Sequence, residues 1–94
     1  MELTITHDEE NQQFVVLIDD KLSTLKYSIS SDGKTLDYYS TFVPPELRER
    51  HLGRDLVKFA LDFALQNNYK VNPSCPFVSH YIHRHPEYKK VLPS

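Results

Sequence analysis

The chain has 94 residues, with 11 Lys+Arg against 13 Asp+Glu and a formal charge of −2. That length predicts one domain over residues 1–94, since a second unit would have almost no core of its own. One cysteine excludes an internal disulfide and points to a reducing compartment, while 39% hydrophobic residues with no apolar run near ~18 residues exclude a membrane-spanning helix.

Met1 to Glu10 carries acids and no apolar core, so it does not read as a secretory leader. A slightly acidic balance, with a pI of 6.2, argues against a general nucleic-acid binder. The expectation is a soluble cytoplasmic domain, and with no long exposed apolar stripe, a monomer.

In chain order, Leu3, Ile5 and His7 alternate with polar residues as in a half-buried strand. Phe14 to Ile18 is a continuous apolar, β-branched run, which predicts a strand buried on both faces or at the sheet centre. Asp19-Asp20-Lys21 reads as a turn. Leu25, Tyr27 and Ile29 alternate in a third strand. Asp32-Gly33 then predicts a type I′ hairpin turn, which needs positive φ at both central positions. The returning strand places Leu36, Tyr38, Ser40 and Phe42 on one face, with Asp37, Tyr39, Thr41 and Val43 on the other. The first half is therefore an antiparallel meander of four strands.

After Pro44-Pro45 the period becomes helical. Leu52, Leu56, Phe59 or Ala60, and Phe63 form one apolar stripe, with Arg54, Lys58, Asp62 and Gln66 opposite. Gln66-Asn67-Asn68 closes the helix, asparagine being tolerated in a left-handed turn. Tyr69, Val71 and Pro73 mark a short fifth strand, parallel to the fourth through a right-handed crossover. Ser74-Cys75-Pro76 starts a second helix, with apolar Phe77, Val78, Tyr81 and Ile82, and Pro86 stops it. The fold class is α/β (α+β), a mixed sheet with two main helices.

Three groups could carry chemistry. Arg48, Arg50 and Arg54 surround the first helix start, where unpaired backbone N–H groups favour a phosphate; ordinary surface arginines are the alternative. Cys75 at a helix start could be an activated thiol, or a buried small apolar residue. His80 and His83 share a helix face near Cys75, yet no second cysteine accompanies them and Arg84 opposes a cation, so no metal is expected. Tyr38 and Tyr39 read as sheet-packing aromatics.

Leu36 to Arg48, with its Val-Pro-Pro-Glu-Leu-Arg block, resembles a compact branch of the GNAT acetyltransferase superfamily. So do Pro73-Ser74-Cys75-Pro76-Phe77-Val78 and His85-Pro86-Glu87-Tyr88. The resemblance covers nearly the whole chain. It implies a compact GNAT fold without the acceptor-side helices of larger relatives. It also implies acetyl-CoA bound where the fourth and fifth strands part, and transfer to an unidentified amine on a small molecule or protein. The family's Arg/Gln-x-x-Gly-x-Gly/Ala loop falls on Arg48-x-x-His51-x-Gly53, with His51 in place of the first glycine. The implied cofactor-binding residues are Phe42, Val43, Arg48, Glu49, Arg50, His51, Leu52, Gly53, Arg54, Phe77 and His80. Ser40 stands where relatives commonly carry histidine, and a serine hydroxyl alone is a poor base near neutral pH. The resemblance sets Cys75 near the thioester, with Ser40 and Tyr81 as further catalytic candidates. An acyl-CoA-binding or sensing module with little turnover, and a thiol-dependent enzyme unrelated to CoA, are the alternatives.

Overall fold

Alternating buried and exposed residues build a five-stranded sheet in this computed structural model, which describes residues 4–93 and all their side chains except those of Glu49 and Arg50. The strands are β1 (Thr6–Asp8), β2 (Gln13–Ile18), β3 (Lys21–Ile29), β4 (Thr35–Phe42) and β5 (Lys70–Asn72), in spatial order of sequence. The first four pair antiparallel and β5 pairs parallel to β4, as the sequence predicts. Between β4 and β5 run a 3-10 helix (Pro45–Arg50) and α1 (Leu52–Gln66). After β5 come α2 (Pro76–Arg84) and a closing 3-10 helix (Pro86–Val91). In the predicted first strand, Leu3 lies outside the described residues, Ile5 precedes β1 and His7 lies within it.

One face of the sheet is covered. Phe14, Val16, Leu25, Tyr27, Leu36, Tyr38 and Val71 meet the buried side chains of α1, α2 and the closing 3-10 helix in a single core. The Phe14–Ile18 run is therefore not buried on both faces: Phe14 and Val16 point inward, whereas Leu17 is 64% exposed. A continuous apolar run does not distinguish a doubly covered strand from one whose outer residues face water.

Two turn assignments change. Asp19 and Asp20 both have positive φ (52° and 62°) between the paired residues Ile18 and Lys21, so type I′ geometry belongs to this two-residue loop. At the β3–β4 turn only Gly33 is positive (φ 73°). There the Asp32 carboxylate accepts bonds from the Ser30 hydroxyl and the Lys34 N–H, stabilising a longer loop closed by Ser30 N–H donating to Thr35 O.

β4 departs further from simple alternation. Leu25 opposes Thr41 and Lys26 opposes Ser40, but Tyr27 opposes Tyr38, leaving Tyr39 as an extra, unpaired residue. Such a bulge shifts the side-chain alternation by one. Leu36, Tyr38 and Thr41 thus share the helix face with Leu25 and Tyr27, while Ser40 and Phe42 lie with Lys26 and Thr24 on the open face. The predicted grouping of Ser40 and Phe42 with Leu36 and Tyr38 is corrected accordingly.

In α1 the buried stripe is Leu52, Leu56, Val57, Ala60, Leu61 and Ala64, with Phe59 and Phe63 at its edge. Small alanines let the helix approach the sheet, where the Tyr38 hydroxyl donates to Ala60 O at 2.6 Å. Asn68 turns left-handed (φ 61°) as expected, and Tyr69 N–H donates to Ala64 O. Asp62 is not simply on the water side. It accepts bonds from Lys58 (2.8 Å) and from the buried Tyr88 hydroxyl (2.7 Å), fastening the closing 3-10 helix to α1.

Candidate functional site

β4 and β5 share only three rungs, Thr35 to Asp37 against Lys70 to Asn72, and Cys75 N–H adds one bond to Tyr38 O at 2.9 Å. Past that point the chain turns through Pro73 and Ser74 into α2, while β4 continues through the Tyr39 bulge to Phe42. The two strands therefore part, and a cleft of about 410 Å³ opens between them. Thr41, Phe42, Val43 and Phe77 form its apolar inner walls; Arg48, His51, Gly53 and Arg54 form its mouth.

The mouth is built by the start of α1. His51 precedes the helix with φ 59° and ψ 28°, and no side chain caps the helix. The amides of Leu52, Gly53 and Arg54 consequently have no partner inside the helix, and the positive end of its dipole adds to their field. Arg48 donates from Nε to Val43 O at 3.0 Å, tying the 3-10 helix to the strand end. Glu46, in the same 3-10 helix, pairs with Lys21 at 3.0 Å, and that hydrogen bond holds its carboxyl below the usual range. Gly53 is needed for close approach rather than unusual φ: a Cβ there would lie 3.1 Å from Phe77 Cζ.

A second cleft, of about 670 Å³, adjoins the first and shares His51, Arg54 and Phe77 with it. Its other walls come from α2 and the residue after it: Pro76, His80, Tyr81, Arg84 and His85. Tyr81 stacks on His85 with ring centroids 4.1 Å apart and an interplanar angle of 9°. Burial raises the Tyr81 phenol above its ordinary pKa.

The predicted site residues divide. Phe42, Val43, Arg48, His51, Gly53, Arg54 and Phe77 come together around the first cleft, and His80 and Tyr81 around the second. Leu52 is buried, so only its backbone faces the mouth. The side chains of Glu49 and Arg50 lie outside the described residues. Cys75 precedes α2, is 8% exposed, and its Sγ donates to Thr41 Oγ1 at 3.6 Å. Thr41 lines the cleft, so Cys75 stands just behind its wall. The bulge puts Ser40 on the other face of the sheet from Thr41.

Phe77, which the sequence assigns both to the apolar side of α2 and to the cofactor site, is 47% exposed at the junction of the two clefts. Thr41, Arg84 and His85 are lining residues that sequence reasoning missed. The signal for Arg84 was present: Phe77, His80, Tyr81 and Arg84 follow i, i+3, i+4, i+7 and share one side of α2. Among the described residues no cluster of three or more His, Cys, Asp or Glu side chains could hold a metal ion, and no helix is long and apolar enough to cross a membrane.

The model of the GCN5-related N-acetyltransferase family matches residues 13–91. Protein NATD1 of Danio rerio is 29% identical over 91 residues, covering 92% of this chain and 81% of its own. Protein NATD1 of Homo sapiens is 27% identical over 85 residues, covering 89% and 75%. The solution NMR structure of a GCN5-like protein from Staphylococcus aureus matches with a TM-score of 0.74 at 26% identity, over 98% of this chain and 89% of that one.

Proposed function

The chain belongs to the GCN5-related N-acetyltransferase family, and from that premise we propose that it transfers an acetyl group from acetyl-CoA to an amine. The observation that carries this reading is the joining of two features in one cleft: an open β4 edge, and an α1 start with no capping side chain.

The residues fit such a donor. Phe42, Val43 and Phe77 offer apolar walls suited to the pantetheine arm. The amides of Leu52, Gly53 and Arg54, with the Arg48 and Arg54 side chains, suit a diphosphate. When bound, acetyl-CoA supplies a thioester whose carbonyl carbon accepts the amine nitrogen as the C–S bond breaks. The ammonium proton passes to solvent or a base, and the departing sulfur takes up a proton, so free CoA and an amide result. The chain's own part is to hold the donor extended and keep its thioester end at Thr41, in front of Cys75. The acceptor is an unidentified amine on a small molecule or a protein.

Of the three proposed catalytic side chains, Cys75 is the best placed, through its bond to Thr41. Ser40 lies across the sheet and Tyr81 in the neighbouring cleft. A second reading, a donor-binding module with little turnover, is favoured because none of the described side chains lining the cleft is a carboxylate that could take the amine's proton. Calorimetry with acetyl-CoA, followed by CoA release over a panel of amines, separates the two. Binding with release supports the transferase, binding without release the module, and no binding at all removes both. Rapid-quench mass spectrometry after acetyl-CoA exposure tests whether Cys75 takes the acetyl group itself: a hydroxylamine-labile adduct supports a covalent route, and its absence supports direct transfer.

A further inference from the structure

We propose that the acceptor is a free α-amino acid with a side-chain amine, held on the open face of the sheet with its α-ammonium on Asp37 and its α-carboxylate on Lys26. This names the substrate class of the transferase and rests on the reading of the first cleft as the donor site.

Access is the first argument. The helices cover one face of the sheet and a bound donor fills the cleft from the α1 side, so an amine reaches the thioester at Thr41 across the bare face. Asp37 is on that face in the last β4–β5 rung, between Asn72 and Ser28. The next residue, Tyr38, carries the carbonyl that receives Cys75 N–H where the strands part. Lys26 is on the same face, opposite Ser40.

Unmet charge is the second argument. One Asp37 carboxylate oxygen is shielded from solvent and accepts no hydrogen bond, a costly state that an arriving ammonium relieves. Among the described residues neither Asp37 nor Lys26 makes a side-chain ion pair or hydrogen bond, with the other or elsewhere. A water-facing sheet accounts for charged residues on it. It does not account for a shielded, unpartnered carboxylate oxygen beside the strand fork. Spacing is the third. Asp37 and Lys26 are diagonal neighbours on adjacent strands, about 7–8 Å apart at Cα, so an amino-acid head between them meets both signs of charge. Neighbouring strands are about 4.8 Å apart, and a side chain of about three or four methylenes carries its amine from that head across β4 to the fork. There the nitrogen bonds the acetyl carbon as the C–S bond breaks. Of the two protons the ammonium loses, one ends on the CoA sulfur and the other in solvent.

The test uses the full chain with acetyl-CoA and three acceptors: lysine, cadaverine, which lacks the carboxylate, and Nα-acetyl-lysine methylamide, which lacks both head charges. Lysine is expected to show a KM about tenfold or more below that of the methylamide, the size of one or two charge-assisted contacts. Lys26→Met should raise the KM for lysine about tenfold and that for cadaverine much less. Asp37→Asn should raise the KM for both with kcat little changed, and affect the methylamide least. Equal KM values for the three acceptors overturn the proposal, as does an Asp37→Asn effect confined to kcat, which would make the carboxylate a proton acceptor. Backbone amide NMR of the CoA-loaded chain titrated with lysine reads the site without turnover. Shifts centred on Ser28, Asp37 and Ser40 support the proposal, and their absence overturns it. If acetyl-CoA binds in calorimetry but lysine produces no shifts, the donor site stands and only this acceptor class falls. If acetyl-CoA does not bind, the donor-site reading fails with it.

Discussion

A histidine held at positive φ carries a strain of about 1–2 kcal/mol that glycine escapes, partly offset by the entropy glycine loses on folding. His51 is in that position, at the entrance to α1. His51→Gly is therefore expected to raise unfolding stability by up to about 1 kcal/mol in urea melts. Loss of stability instead would mean that the imidazole makes compensating contacts. Two residues on, Gly53→Ala gains helix propensity but places a Cβ 3.1 Å from the Phe77 ring. The exposed ring can swing aside, so stability should change by less than about 1 kcal/mol. Its new position narrows the cleft, and acetyl-CoA affinity by calorimetry should fall several-fold. Unchanged affinity would place the donor elsewhere.

Elements are joined here by a few polar links whose worth differs with burial. Asp62 of α1 receives both the exposed Lys58 ammonium and the buried Tyr88 hydroxyl. An exposed i, i+4 pair contributes about 0.3–0.5 kcal/mol, while a hydrogen bond to a charged group in a sheltered site contributes about 1.5–3 kcal/mol. Chemical denaturation should accordingly show Tyr88→Phe costing more than Lys58→Ala, by about 1 kcal/mol or more. Equal losses would show that the closing 3-10 helix is held by packing alone. Burial, followed by the bond to Asp62, pushes the Tyr88 phenol up to about 12, so its proton and this link persist into alkaline solution.

Across the whole molecule, one titrating group ties the first strand to the core. His7 stacks on Phe14 at 4.4 Å, meets Phe63 edge-on at 4.5 Å and hydrogen-bonds the Tyr27 hydroxyl at 2.6 Å. Burial among these groups lowers its pKa from 6.5, against the opposing pull of Glu9 and Asp8. The unfolded chain then binds the proton more readily than the native one. This contribution to stability is complete above pH 6.5 and is lost as the pH falls through the lowered native value. Melting temperatures between pH 7.5 and 5 should decline, with a smaller decline in His7→Phe; parallel declines would assign the pH dependence to other groups.

Strand number, strand order, the crossover helix and the α1 start were legible in the sequence because each depends on local periodicity or on one punctuating residue. Alternation around Leu25 and Tyr27, the 3.6-residue stripe of α1, and Pro44-Pro45 before it needed no knowledge of distant neighbours. The basic residues at the cleft mouth were legible for the same reason. Coverage of a strand was not: whether Leu17 meets water depends on which face the helices take, and they pack together on one. Nor was the Tyr39 bulge, since an unpaired residue exists only relative to the strand beside it. That single displacement turns Thr41 toward Cys75 and carries Ser40 away. Thus the sequence by itself determined the elements and the family motif. Tertiary structure decided which side chains share a cleft, because pairing register and the divergence of β4 from β5 belong to no segment alone.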